Sequence, residues 1–135
     1  MKNLLFLLAA ILLSTGLLPA ADKHIVLIAG NPSHPPGMHE FHAGLLLLQQ
    51  CLAQTPGVKT TVHRSGWPEA TDAFDGADAV VLYCDGGDKH PAIQADHREI
   101  LRALAQKGVG LGFMHYGVEI PAKNGGPEFL QWIGG

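Results

Sequence analysis

Only two cysteines, Cys51 and Cys84, occur in this chain. Their spacing fits neither a disulfide framework nor a zinc knuckle, so both are expected as free thiols. The sequence has no G-x-S-x-G, and neither cysteine stands at a strand-to-helix bend, which leaves the usual serine and cysteine nucleophiles without a seat. No G-x-G-x-x-G or Walker pattern follows the first strand, and Gly110-x-Gly112 falls inside a strand, so nucleotide cofactors are not expected. Charged residues make up only 16% and form no stripe of one sign, which argues against nucleic acid and against a polybasic membrane patch. There are no internal repeats and no low-complexity tract.

The one long apolar run, Leu4 to Leu18, follows a short basic start at Lys2 and precedes Pro19-Ala20-Ala21. That pattern is a cleavable export signal over residues 1–20, too short for a membrane span and without a stop-transfer pattern after it. The expected location is secreted or periplasmic, with no membrane attachment after cleavage. Losing Lys2 takes the 9 basic residues to 8 against 12 acidic ones, a formal charge of −4 for residues 21–135. This length suits one domain with one core.

From His24 onward, strand and helix signals alternate. His24 to Gly30 is a continuous apolar run, the mark of a strand buried on both faces. Three prolines make Asn31 to Gly37 a loop. Phe41, Leu45, Leu48 and Leu52 fall at helical spacing within His39–Gln54, and Leu46, Leu47 and Cys51 widen the apolar face. Val58–Arg64 alternates as an edge strand, and Ala79–Asp85 reads as another buried one. Pro91 or Ala92 to Lys107 suits a helix stopped by Gly108. Val109 to Met114 is an apolar, glycine-rich strand, as expected where helices cover both faces, and runs into a tight turn at His115-Tyr116-Gly117. A last short helix fits 127–133, with proline in its first turn. The fold class is α/β, a flavodoxin-like doubly wound parallel sheet of order 2-1-3-4. Such sheets normally carry a fifth strand, so the domain over 21–135 is expected to be the N-terminal part of a longer one.

Ligands of open α/β sheets bind outside the carboxyl ends of the strands. Three loops leave those ends, carrying Ser33, His34 and His39, then Asp85, Asp88 and His90, then His115, Tyr116 and Glu119. His115 sits where a nucleophile elbow holds its reactive side chain, and is either the polar centre of a site or a buried structural histidine. Glu119 is the acid/base candidate, its plain alternative a salt bridge. His34 and His39 are either solvated loop residues or metal ligands, and with Asp85 or His115 they would make a zinc set. Ser33, Asp85, Tyr116 and Trp67 are the substrate-contact candidates. Trp67 is either a lid on an apolar patch or a stacking surface for a sugar ring. His42, His63 and His97 read as surface or helix-flank residues without a role.

Taken together, Asn31-Pro32-Ser33-His34, Gly37 to Phe41, Gly66-Trp67-Pro68, Phe74 to Asp78, Val81 to Tyr83 with Asp85-Gly86-Gly87, His90-Pro91, Gly110 to Glu119 and Gly125 to Gly135 resemble a ThuA-like (trehalose utilisation) domain of the class I glutamine amidotransferase-like superfamily. The resemblance spans nearly all of residues 21–135. It implies a flavodoxin-like fold with His115 where the superfamily carries its cysteine, so glutaminase activity is not expected. It also implies sugar catabolism beside oxidoreductases that make keto-sugars. The expected function is to act on a carbohydrate derivative, as a hydrolase or isomerase, or to bind one without turnover as a module of a larger secreted protein. An amidotransferase relative using Cys84 is the poorest reading, because Cys84 precedes Asp85-Gly86-Gly87 and no elbow.

Overall fold

A computed structural model describes residues 21–135; the expected export signal lies outside the described residues. Among the described residues, four strands and three α-helices follow one another as β1 (Lys23–Ala29), α1 (Phe41–Leu52), β2 (Val58–His63), β3 (Ala79–Tyr83), α2 (His97–Gln106), β4 (Gly110–Met114) and α3 (Gly126–Ile133). All strand pairs are parallel and the order is β2-β1-β3-β4, as the sequence predicts. Because side chains alternate across a strand, the unbroken apolar run of β1 feeds two cores at once. Val26 and Ile28 join Val80 and Leu82 of β3 beneath Leu101, Leu104 and Phe129 of α2 and α3. Leu27 and Ala29 point the other way, against Phe41 and Leu45 of α1. Glu128, in the first turn of α3, grips Arg102 of α2 through two parallel bonds of 2.5 and 2.9 Å. This forked geometry is the ion-pair type that contributes beyond the usual surface value.

Four expectations are corrected. The helix begun at His39 starts at Phe41, because His39 takes a left-handed backbone with φ +52° and so cannot enter the first turn. Its wide apolar face narrows to Phe41 and Leu45 as fully buried positions, while Leu47 is 62% exposed and Cys51 lies at the surface. The helix expected from Pro91 is broken: Pro91–Ile93 is a single 3₁₀ turn, Gln94 is extended, Ala95 has φ +45°, and α2 begins only at His97. Gln94 accounts for the break, its side-chain amide donating to the carbonyls of Asp88 and His90 and holding the chain in a loop. Finally, β4 is the edge of the sheet among the described residues and is only partly buried, not covered on both faces.

Gly44 of α1 lies directly over β3. A Cβ there would stand 2.5 Å from Tyr83 Cε1, and Tyr83 is itself wedged edge-on against Phe41 at 5.1 Å. Replacing a mid-helix glycine with alanine ordinarily stabilises by about 0.5–1 kcal/mol. Here the sign reverses: Gly44→Ala is expected to destabilise by roughly 1–3 kcal/mol through overpacking. Urea unfolding of the two proteins measures it, and a stabilised variant would show that Tyr83 has room to move.

Candidate functional site

Parallel strands end on one edge, so the loops after β1, β3 and β4 meet there. The chains approach closely at the exits: a Cβ on Gly30 would lie 2.6 Å from Cys84 Cβ, which is why glycine closes β1. Asp85 follows at once and forms the hub. His39 Nδ1 lies 3.3 Å from Asp85 Oδ1, His115 Nε2 lies 3.6 Å from the same oxygen, and His34 Nδ1 lies 3.6 Å from Oδ2. The rings crowd one another, with centroids 3.9 Å apart for His34 and His39 and 4.7 Å for His39 and His115. Ser33 Oγ pairs with His34 Nδ1 at 2.9 Å. Burial raises the Asp85 pKa, but hydrogen bonds from Ser33 and His39 and the charges of His39 and His34 outweigh it, and the carboxyl sits below its usual range.

The separations around Asp85 are long for good hydrogen bonds, which centre near 2.9 Å. They suit something else. Ligand bonds of about 2.0–2.1 Å to a tetrahedral zinc ion put neighbouring donor atoms roughly 3.3–3.4 Å apart. His34, His39 and Asp85 each offer one donor atom, all within 4.8 Å of one another. His115 touches this group through Asp85 and flanks it. Two residues of the cluster, His39 at φ +52° and His115 at φ +59°, are in the left-handed region. A non-glycine residue there stores of order 1–3 kcal/mol of strain, which concentrates at working sites. The elbow is thus real as geometry: β4 runs into a 3₁₀ turn over His115–Val118 with a strained residue at its head.

A residue without an assigned role holds this arrangement in place. His90 is fully buried. Its Nδ1 accepts from the Ala92 amide at 3.0 Å, which leaves the proton on Nε2, and Nε2 donates to the Gly117 carbonyl at 2.9 Å. One neutral imidazole therefore ties the loop after β3 to the elbow after β4. Beside it, the Gly87 amide donates to the Glu119 carbonyl at 2.9 Å. Gly86 is packed so tightly there that a Cβ would fall 2.6 Å from both Glu119 Cβ and the Tyr116 carbonyl oxygen. The sequence signal for this was present in His90-Pro91, a cap followed by proline, but the partner carbonyl lies 27 positions away.

The other candidates are less closely gathered. Tyr116 is exposed and rests on the His115 ring at 4.5 Å. Glu119 is exposed and contributes its backbone to the clamp; its carboxylate enters no ion pair with the cluster. Trp67 lies flat on His97 (4.3 Å, 6° between planes) beside Phe74, in a separate cleft of about 600 Å³. His97 thus has a packing role that its sequence position hid, and its Nδ1 pairs with the Pro91 carbonyl at 2.7 Å. His42 and His63 are likewise not plain surface groups, for the Nε2 of each is enclosed without a hydrogen-bond partner. Cys84 is buried, and burial followed by the Asp85 charge pushes its thiol up to about 12. A thiol this reluctant to ionise makes a poor nucleophile, which removes the ground for a Cys84-based amidotransferase.

Two clefts flank the cluster. One of about 300 Å³ is lined by His34, His39, His42 and Arg64. The other, about 380 Å³, is lined by Asn31, Ser33, Asp85 and Lys89. Comparison with family models, with curated proteins and with solved structures finds no match, so the site rests on its own geometry.

The clamp carries a pH prediction. Burial, opposed by the bond to Gly117, holds the His90 imidazole below its usual range. As pH falls below about 6.5 the unfolded chain takes up this proton first, so stability declines from there down to the lower folded-state value; above 6.5 the contribution is complete. His90→Phe leaves the Gly117 carbonyl and the Ala92 amide unpaired, at about 1–3 kcal/mol each. The variant is expected to be destabilised at neutral pH and to show a shallower acid slope than the parent in urea melts between pH 7 and 5. An unchanged slope would count against a clamped neutral ring.

Proposed function

We propose that this chain is an exported ThuA-like domain that acts on a carbohydrate derivative at the Asp85 rim, with His34, His39 and Asp85 holding a divalent metal such as zinc. The observation that carries the reading is the convergence of three imidazoles on one carboxylate at the carboxyl ends of β1, β3 and β4. Three protein ligands with one open position are the arrangement of catalytic zinc, whereas structural sites close all four. His115, beside Asp85 and in a strained bend, is the acid/base candidate. A metal held by His34, His39 and Asp85 would supply Lewis-acid polarisation of a sugar carbonyl or hydroxyl, and His115 would be the group to exchange the proton. This suits hydrolysis or isomerisation of a keto-sugar derivative supplied by an oxidoreductase partner. Glutaminase chemistry does not fit, because the buried thiol is held protonated.

Glu119 is the weaker catalytic candidate, since its carboxylate stands apart from the cluster, and this favours a second reading. In it the domain binds a carbohydrate without turnover, as a module of a larger secreted protein.

Metal analysis and a binding and turnover screen against hexoses, keto-hexoses and disaccharides test both readings. The parent is expected to take up one zinc ion per chain. His39→Ala and Asp85→Asn should each weaken zinc binding at least about tenfold, while His115→Ala keeps the metal and loses turnover. Retained binding with no turnover in the parent selects the second reading. A chain that takes up no zinc and binds no sugar is a different kind of protein.

A further inference from the structure

We infer that the rim also takes copper(I), held by the thioether of Met38 together with the imidazoles of His34 and His39. This rests on the metal reading above and extends it to a second, softer ion at the same pair of histidines. Met38, His34 and His39 all line the cleft of about 300 Å³, and the two rings stand 3.9 Å apart between centroids. Asp85 lines the neighbouring cleft instead. A borderline ion such as zinc accepts imidazole and carboxylate, whereas a thioether selects copper(I). Two imidazoles and one thioether make a three-donor set of that softer kind. Copper(II) ranks above zinc at nitrogen and oxygen sites in general, so copper(I) is the ion that reports on the sulfur.

Met38 has no packing role that would account for it. Methionine ordinarily fills irregular gaps in a core. Met38 is 52% exposed and belongs to neither core cluster. Its backbone is nonetheless fixed beside the two rings. The Met38 amide donates to the Pro35 carbonyl at 3.1 Å, and the Gly37 amide donates to the Glu40 carboxylate at 2.6 Å. His39 follows directly, held in its left-handed backbone.

The other sulfur atoms among the described residues do not compete for this place. Cys84 is buried, and its thiol is pushed up to about 12, so it offers no thiolate. Cys51 is near the far end of α1, and neither it nor Met114 lines a cleft of the rim. Met38 is therefore the one soft donor that shares a cleft with His34 and His39.

Anaerobic titration of the full chain with copper(I), buffered by the chromophoric chelator bicinchoninate, tests this beside a zinc titration. The parent is expected to bind one copper(I) ion per chain. Met38→Leu keeps the size of the side chain and loses the sulfur, so it should weaken copper(I) binding at least about tenfold and leave zinc affinity unchanged. Met114→Leu should alter neither. X-ray absorption at the copper edge should show a sulfur neighbour in the parent and none in Met38→Leu. A parent that binds zinc but no copper(I), or binds copper(I) without a sulfur neighbour, overturns the inference and leaves the metal reading standing. A copper(I) affinity that survives Met38→Leu does the same, as does equal weakening of both ions in that variant or a loss of copper(I) in Met114→Leu. A parent that binds neither ion removes the metal reading and the inference with it.

Discussion

One buried imidazole sets the geometry of the rim. His90 reaches from the loop after β3 to the backbone of the elbow after β4, accepting at one ring nitrogen and donating at the other. Only the neutral ring can do both, because a second ring proton would face the Ala92 amide hydrogen. Asp85 lies five residues before this bridge and His115 two residues before its partner Gly117. Their approach to 3.6 Å follows from backbone that is held from beneath. The packing of Gly86 against the elbow adds a steric limit to the same end. A site built on loops ordinarily lacks the accuracy of one built on strands. Here the clamp gives two loops the fixity of the sheet below them.

Strain and clamp belong together. His115 and His39 occupy a left-handed backbone that L-residues enter at a cost. Such conformations persist only where surrounding structure over-determines them. For His115 that surrounding structure is the Gly117 bond, the Tyr116 carbonyl against Gly86, and aromatic contacts to Phe41, Tyr83 and Tyr116. For His39 it is the turn that ends at Phe41, which is buried and anchors the start of α1. The apolar face of α1 therefore does more than fill a core. It sets the direction from which His39 meets Asp85.

The sheet was legible because its signals are local. A continuous apolar run closed by glycine marks β1 wherever it occurs, and β-branched alternation marks β2 as an edge. The order of strands follows from right-handed crossovers. The rim was legible too, as parallel strands must deliver their loops to one edge. What the sequence does not display is which of eight histidines meet. His34, His39 and His115 cluster while His97 stacks on Trp67, and His90 is buried with both nitrogens satisfied. All five sit in loops or at helix starts with similar neighbours in sequence. Their fates are decided by contacts between segments far apart in the chain, which no local pattern encodes. The break before α2 was missed for a related reason: Gln94 looks like a good helix residue until its amide finds two carbonyls behind it.

The chemistry of the rim turns on how three imidazoles share one carboxylate. At neutral pH most histidines are uncharged, and a neutral ring offers a carboxylate one N–H. Two carboxylate oxygens have room to accept from three such rings, but good acceptance brings each nitrogen to about 2.9 Å. The nitrogens stand off at 3.3 and 3.6 Å instead, with the Ser33 hydroxyl closing on His34 at 2.9 Å. Two physical resolutions exist. Extra protons on the rings would draw them in as ion pairs, at the expense of like charges whose centroids are 3.9 and 4.7 Å apart. The divalent cation proposed above would remove that repulsion, since it would take unprotonated nitrogens as ligands and carry the positive charge itself. The strained bend at His115 holds an imidazole beside Asp85 on a backbone that does not yield, a placement the buried Cys84 thiol lacks.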